Sequence, residues 1–385
     1  MSIAYFDGVI VGGGLVGAAL AVALAEQGKE IALLELRPPQ LNLQADANDW
    51  DARIYAISPA NEQFLRRLNA WPDMHRVQPV SHMDVRGDAG GKIEFSAPAI
   101  HTSHLTSILE NRWLLQAIWQ RIKGMDNIKV FSSAAQSLNS EEHAASISLH
   151  DGQVLSAPLI MAADGANSWV RAQTDIKVDA KPYHHHGIVA NYAIEKPHGN
   201  IARQWFNQGD VLAYLPLPQE RISIVWSTSQ TEALMALSDE AFAEHAATQG
   251  EHCLGKLTPI GRRFAFELVL RRPEKMYAPR IALLGDAAHT IHPLAGQGVN
   301  LGFGDVMALA NILQDAADWG RSSVLRQYEA ERLHAVRSMQ MGCDGLFQLF
   351  KTEAAPLAWL RNTGLNLVNQ MGGIKNQLIR QAMGL

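Results

Sequence analysis

Residues 9–17 read Val-Ile-Val-Gly-Gly-Gly-Leu-Val-Gly, and this string constrains the fold more than any other in the 385-residue chain. The apolar run Val9–Val11 leads straight into Gly12-x-Gly14-x-x-Gly17. Alanine-rich Ala18–Gln27 then reads as a helix stopped by Gly28, and a second apolar run, Ile31–Leu36, closes on Pro38-Pro39. Strand, glycine turn, helix and strand make a βαβ unit. The glycine spacing has a physical reason. Gly12 allows the tight turn, Gly14 leaves no side chain between backbone and a pyrophosphate, and Gly17 lets the helix pack on the strand. Free amides at the helix N-terminus, with about half a positive charge, favour the anion. Glu35, 18 residues beyond Gly17, is placed to accept hydrogen bonds from ribose hydroxyls. The motif alone does not choose between FAD and NAD.

Residues 285–302 bear on that choice. The short apolar run Arg280–Leu284 reads as a buried strand ending in Gly285-Asp286. A carboxylate at the carboxyl end of a strand sits where open α/β sheets bind ligands. There Asp286 can hold the ribityl hydroxyls of a flavin, or it simply ends a turn. Gly296-Gln297-Gly298 then opens a helix predicted over Gly298–Ala317. Its free amides are a suitable counter-dipole for a reduced flavin, worth up to ~2 kcal/mol in a partly buried site. Gly302 and Gly304 are costly inside a helix, and close approach of another backbone or a ring would explain them.

Ser58–Leu68 and Asn111–Ile122 carry helical spacing; Ile128–Phe131, Ser146–Leu149 and Val154–Ala162 read as strands, the last ending in Ala163-Asp164-Gly165. From about Gln173 the character changes. His186–Ile194, Ile201–Phe206, Val211–Pro216 and Arg221–Ser227 are short strands between Gly, Pro and Asn, as in an antiparallel sheet, with a helix predicted over Leu237–Ala247. Ser322–Met341 and Phe347–Met383 read as helical, interrupted at Pro356 and at Gly372-Gly373. The expected class is α/β: a Rossmann-type domain discontinuous in sequence (1–75, 100–175 and 275–330), an inserted antiparallel β-sheet domain (76–99 and 176–274) and a C-terminal helical region (331–385).

The glycine turn, the string Asp164-Gly165-Ala166-Asn167-Ser168-Trp169-Val170-Arg171 and the Gly285–Gly302 segment together resemble the class A flavoprotein aromatic hydroxylases, the p-hydroxybenzoate-hydroxylase fold. Within that class, Asp51-Ala52-Arg53-Ile54-Tyr55-Ala56-Ile57-Ser58, Glu110-Asn111-Arg112 and Gly285–Gly302 resemble the ubiquinone-biosynthesis hydroxylases. The resemblance implies noncovalent FAD, with NADH or NADPH as a transient co-substrate and no second Rossmann domain; no second GxGxxG follows a strand here. It implies that Asp164 and Gly165 serve both the pyrophosphate region and the nicotinamide donor, and that Arg53 and Arg112 contact FAD. It implies that Pro293, Leu294, Ala295, Gly296 and Gln297 pass next to the isoalloxazine ring and that Gly298, Val299 and Asn300 also bind the cofactor, with His292 a candidate polar contact or else a packing histidine. The reaction implied consumes NAD(P)H and O2, forms a flavin C4a-hydroperoxide and transfers one oxygen to a phenol ring. The flavin carries that chemistry, so no acid–base residue is assigned.

A polyprenyl phenol of ubiquinone synthesis is the substrate expected from this resemblance, with other quinone-biosynthesis proteins as candidate partners. Two alternatives stay open: a same-fold enzyme acting on a small soluble aromatic or on prenyl chains, and a non-catalytic flavoprotein accessory of a biosynthetic complex. Trp205, Tyr214 and Trp226 lie on predicted strands and are candidates for the substrate pocket, or pack the sheet. A net charge of -5 argues against a nucleic-acid partner relying on a global basic field. Cys253 and Cys343 form no CxxC, and neighbouring histidines of His184-His185-His186 point to opposite faces of a strand, so no metal site is expected. No run of about 18 residues is apolar enough to span a membrane. The start lacks the basic stretch and cleavage site of a secretory signal, so a cytoplasmic location is expected. From Ala354 to Leu385 there are three basic residues (Arg361, Lys375, Arg380) and no acidic one, mixed with Leu357, Trp359, Leu360, Leu365, Leu367 and Val368. That suits a helix lying on an anionic membrane surface, and equally one packed on protein.

Overall fold

Val9, Ile10, Ala32 and Leu33 carry no polar side chain, and the chain buries them at the centre of a six-stranded sheet. The computed structural model describes residues 3–43, 49–207, 209–292, 296–352 and 355–383. Edge to edge, the sheet runs Tyr277–Ala278, Ile281–Leu283, Ile160–Ala162, Gly8–Val11, Ile31–Leu34 and Ile128–Phe131. All pairings are parallel except the outermost, Tyr277–Ala278 with Ile281–Leu283. The first crossover helix, Leu15–Glu26, is alanine-rich because it packs on the sheet while the helices Asn111–Lys123 and Gly298–Gln314 flank it. A Cβ on Gly17 would stand 1.9 Å from the Gly12 carbonyl oxygen, so only glycine lets this helix approach its own turn.

The expected strand Val154–Ala162 is two strands. Val154–Ala157 joins a four-stranded sheet and Ile160–Ala162 the parallel one. Pro158 falls between them, where it cannot donate to either ladder. The helix predicted to Ala317 ends at Gln314.

A second sheet of eight strands is built mainly from residues 178–273. Its longest strands, Val178–Ile194 and Phe264–Pro273, pair antiparallel with a register shift between Pro182 and His186. The N-terminal half of the first escaped the sequence reading because polar residues and Pro182 hide the alternation, and the second was not predicted at all. His184 sits in that irregularity with φ 56°. The hairpin His82–Arg86 and Lys92–Ser96 adds to this sheet through a parallel pairing of His82–Arg86 with Ile201–Asn207. Lys92–Ser96 is the sheet's edge.

The C-terminal region is the long helix Ser322–Lys351, then Ala355–Gln370, then Gly372–Met383. Pro356 therefore sits in the first turn of a helix, where its missing N–H costs nothing, and does not interrupt one. Helix Ala355–Gln370 lies along the sheet edge, held by a ladder of asparagines. Asn362 Oδ1 accepts the Gly91 amide at 2.8 Å, Asn366 Oδ1 the Lys92 amide at 2.8 Å, and Asn369 Oδ1 the Glu94 amide at 3.1 Å. These side chains stand in for a strand partner and cover an otherwise unpaired edge. Beside them Arg361 pairs with Asp88 while also donating to the carbonyls of Leu349 and Thr352 at the end of the long helix.

Candidate active site

A cavity of about 1970 Å³ runs from the first glycine turn, past Asp286 and the start of helix Gly298–Gln314, to the inner faces of helices Ser322–Lys351 and Ala355–Gln370. Its two ends differ in chemistry. At one end Gly14, Arg53, Arg112, Gly165, Asp286 and Gly296–Val299 line the wall. Toward the other the wall is mainly apolar, with Gln204, Glu267 and Arg361 among its residues.

The turn at the first end is rigidly built. Glu35 Oε2 accepts the Gly13 amide at 2.7 Å, and the Trp119 indole donates to the Gly13 carbonyl at 2.8 Å. Gly12 takes φ 99° with Ala163 against it, whereas a Cβ on Gly14 would meet nothing within 4 Å. The backbone at Gly14 is thus open to the cavity. Glu35 does not line the cavity in this structure; its visible work is to hold the turn.

Asp286 follows strand Ile281–Leu283 and opens onto the cavity. Desolvation by the walls lifts its pKa above the ordinary carboxylate value, against the pull of His289, Arg53 and Arg271. Its turn is fixed from behind by Asp305, which the sequence reading missed. Asp305 accepts the Gly285 amide at 2.9 Å, shares a 2.7 Å hydrogen bond with His289 and pairs with Arg332 at 2.8 Å. Burial opposes its ionisation, but His289 and Arg332 outweigh this and hold its pKa below the usual value. Gly302 and Gly304 now have reasons. A Cβ on Gly302 would stand 2.6 Å from Val16, and one on Gly304 would stand 2.6 Å from the Arg332 guanidinium. The close approach is of protein to protein.

Asp164 Oδ2 accepts the Val170 amide at 3.0 Å, while its Oδ1 is buried without a hydrogen-bond partner. Arg171 donates to the carbonyls of Ala166 and Ala287, tying this segment to the Asp286 turn. Arg53 lines the cavity, and its charge favours ionisation of Asp286. Arg112 also lines it, but is paired with Asp49 and Glu110 at 2.6 and 2.9 Å. Burial works against its charge, and those two carboxylates more than compensate.

Several expected site residues are elsewhere. Pro293, Leu294 and Ala295 lie outside the described residues. Asn300 does not line the cavity: its amide accepts from Ser58 and Asn61 and donates to Ala56, fastening the helix to its neighbours. His292 is buried against Tyr183 and Phe347, with Nε2 3.1 Å from the Ser227 hydroxyl. Burial pushes its pKa down to about 3, so it is neutral.

The structure also does not bring Trp205, Tyr214 and Trp226 to the cavity. They pack with Phe242 and Ala246 of helix Asp239–Gln249 on the sheet's other face. Tyr214 donates to the Ala246 carbonyl at 2.7 Å, Trp205 to Glu251 and Trp226 to Asp210. Their strand neighbours Gln204, Phe206, Ala213, Leu215 and Val225 face the cavity instead. In a strand one position reverses the face.

These features fit a dinucleotide with a flavin ring. A glycine with empty space above it, an unpartnered buried carboxylate oxygen at Asp164 and the amides opening helix Gly298–Gln314 line or adjoin one end of the cavity.

Comparison with known proteins agrees. The family model described as "FAD binding domain" matches residues 129–342, and one described as "NAD(P)-binding Rossmann-like domain" matches residues 10–39. Ubiquinone hydroxylase UbiL of Rhodospirillum rubrum is 36% identical over 98% of this chain and 89% of that protein. The 3-demethoxyubiquinol 3-hydroxylase of Escherichia coli is 34% identical over 98% of both. The crystal structure of p-nitrophenol 4-monooxygenase PnpA from Pseudomonas putida superimposes with a TM-score of 0.79 at 17% identity, covering 100% of this chain and 99% of that one, which shows a shared fold.

Proposed function

The chain belongs to the FAD-dependent ubiquinone-biosynthesis hydroxylases, and from that premise we propose that it hydroxylates the ring of a polyprenyl phenol, consuming NAD(P)H and O2. FAD, when bound and reduced, supplies the activated oxygen. The remaining tasks fall to this chain's residues. Gly14 and the amides of helix Leu15–Glu26 would hold the pyrophosphate, Asp286 the ribityl hydroxyls, and the amides of Gly296–Val299 the pyrimidine edge of the ring. Arg53 lines the same end of the cavity and would serve the phosphates, and Asp164, between the lining residues Ala163 and Gly165, would accept from a hydroxyl or amide of the cofactor or of the passing nicotinamide donor. The buried Asp305–His289–Arg332 cluster keeps the Asp286 turn from shifting. Water exclusion comes from the apolar half of the cavity.

The observation that carries this reading is the cavity's size and composition beyond the flavin end. Ligand pockets of drug-sized molecules run to about 1,000 Å³. This one is nearly twice that and so has room beyond the cofactor, and its far half offers Val85, Ile93, Phe95, Phe206, Leu268 and Phe350. A small soluble phenol would leave that half empty; a hydrocarbon tail would fill it.

A lipid-borne substrate has to be met at a surface. Among the described residues no helix is long and apolar enough to cross a membrane. Helix Ala355–Gln370 exposes Leu357, Trp359, Leu360 and Leu367, with Trp359 67% exposed. With no acidic residue from Ala354 onward, this supports peripheral contact with an anionic bilayer. The test of function is metabolite profiling of a deletion strain, together with NAD(P)H oxidation by the purified protein. An accumulated under-hydroxylated quinone precursor and phenol-stimulated oxidation are expected. Normal quinone levels, or FAD-loaded protein inert toward every phenol, would reject it.

A further inference from the structure

We propose that the inner face of helix Ala355–Gln370, centred on Gly364, is the subsite for the hydrocarbon tail of the substrate. This rests on the reading above and adds where the tail lies and what makes room for it.

Gly364 stands inside a sixteen-residue helix, where glycine is the poorest choice after proline. A close neighbour would justify it, as Asn362 does for Gly87 and Gly91, whose added Cβ atoms would strike that amide at 2.2 and 2.4 Å. At Gly364 an added Cβ meets no atom within 4 Å, and the position lines the cavity. Among the described residues none fills the space. It is left for something that is not part of the chain.

The surroundings define the chemistry of that occupant. Leu365 and Val368 flank Gly364 on the same helix, Ile93 and Phe95 face it from the edge strand, and Leu349 and Phe350 complete the wall from the long helix. None carries a side chain that can hydrogen-bond. Arg361, which also lines the cavity on this helix, is buried and tied to Asp88. Such a wall discriminates by buried apolar area, which suits an extended isoprenoid or alkyl chain and excludes polar ligands. The helix does not depend on the ligand for its position. The asparagine ladder fastens one face to the sheet edge and leaves the apolar face to the cavity. The same cavity reaches Asp286 and Gly298 at its other end, so a tail bound here is continuous with a ring held beside the cofactor.

The experiment uses FAD-loaded, full-length protein. Two probes are titrated calorimetrically: a benzoquinone bearing a six-unit prenyl chain and the same ring without the chain. Gly364→Leu projects a side chain into the cavity, and Thr363→Ala on the exposed side of the same helix is the control. Wild type and Thr363→Ala should bind the tailed ring at least 100-fold tighter than the bare ring. In Gly364→Leu that ratio should fall at least tenfold, with bare-ring affinity, FAD occupancy and Tm not reduced. An unchanged ratio in Gly364→Leu, equal loss for both probes, or no tail preference in wild type each overturns the subsite. Turnover separates the two claims. Tail preference lost in Gly364→Leu, with no hydroxylation of any phenol by wild type, upholds the subsite and rejects the function. Hydroxylation by wild type with the ratio unchanged in Gly364→Leu does the reverse.

Discussion

Gly14 and Asp286 are where single atoms matter most. No protein atom lies within 4 Å of a Cβ built on Gly14, and its φ of -66° suits any residue, so Gly14→Val should fold normally. It should still lose FAD, because the branched side chain occupies the space a phosphate needs. We expect at least 100-fold weaker FAD binding by fluorescence titration, with the Tm of the cofactor-free protein within about 2 °C of wild type. Asp286→Ala should lose FAD by removing a hydrogen-bond acceptor, at least tenfold. Full occupancy in both variants would reject the cofactor assignment. His185 and His292 make a different prediction. Burial holds their pKa values near 4 and 3, while the unfolded chain takes up protons near 6.5. The folded form is therefore favoured fully above pH ~6.5 and loses ground as pH falls below it, roughly 1–2 kcal/mol per histidine by pH 5. Urea midpoints at pH 7.5 and 5.0 measure this. The His185→Phe and His292→Phe variants should each show a smaller drop, and an unchanged drop in both would refute it. At this scale the glycines and Asp286 were legible because backbone approach and strand-end carboxylates leave spacing signatures. Asp305 was not, since nothing in a helical Gly-x-x-Asp distinguishes a buried anchor from a surface acid.

Among the elements, helix Ala355–Gln370 depends on polar fastenings for its place. Asp88 and Arg361 are both buried, and hydrogen bonds from Arg361 and Asn362 outweigh burial to keep the Asp88 pKa low. Asp88→Ala would strand a buried guanidinium, so a loss of about 3 kcal/mol is expected in chemical denaturation. Amide exchange at Lys92 and Glu94 should accelerate with it, since the helix that accepts their protons loosens, while FAD affinity stays unchanged. Exchange as slow as in wild type would show that the helix is held by other means. Asn362, Asn366 and Asn369 share one helical face in the sequence, yet asparagine on a helix reads as solvent-facing until the strand edge beside it is known. The broken strand at Pro158 could have been read from the proline itself. The faces of Trp205, Tyr214 and Trp226 could not, because strands of an inserted sheet covered on both sides bury both sets of side chains and erase the alternation.

For the molecule as a whole, exposed apolar side chains gather where the cavity reaches the surface. Phe264, Phe266, Leu346, Leu349 and Leu360 both line the cavity and stand at least 36% exposed. If the protein meets its substrate at a bilayer, it should co-float with vesicles containing anionic lipid. Trp359→Ser should reduce the bound fraction severalfold, and high salt should weaken binding further. Equal recovery with neutral and anionic vesicles, or none with either, would reject the membrane role. The class of cofactor came from the resemblance of the motifs to a family, whereas the amino-acid sequence alone determined the dinucleotide crossover and the α/β plan. Those depend on local backbone geometry, and residues a few positions apart record it. Only the tertiary structure decided which sheet face became the cavity wall, which carboxylate braces the Asp286 turn and which helix closes the far end. Each of these follows from packing between segments as much as 275 residues apart, such as Glu94 and Asn369, and such packing leaves no mark in the spacing of either segment.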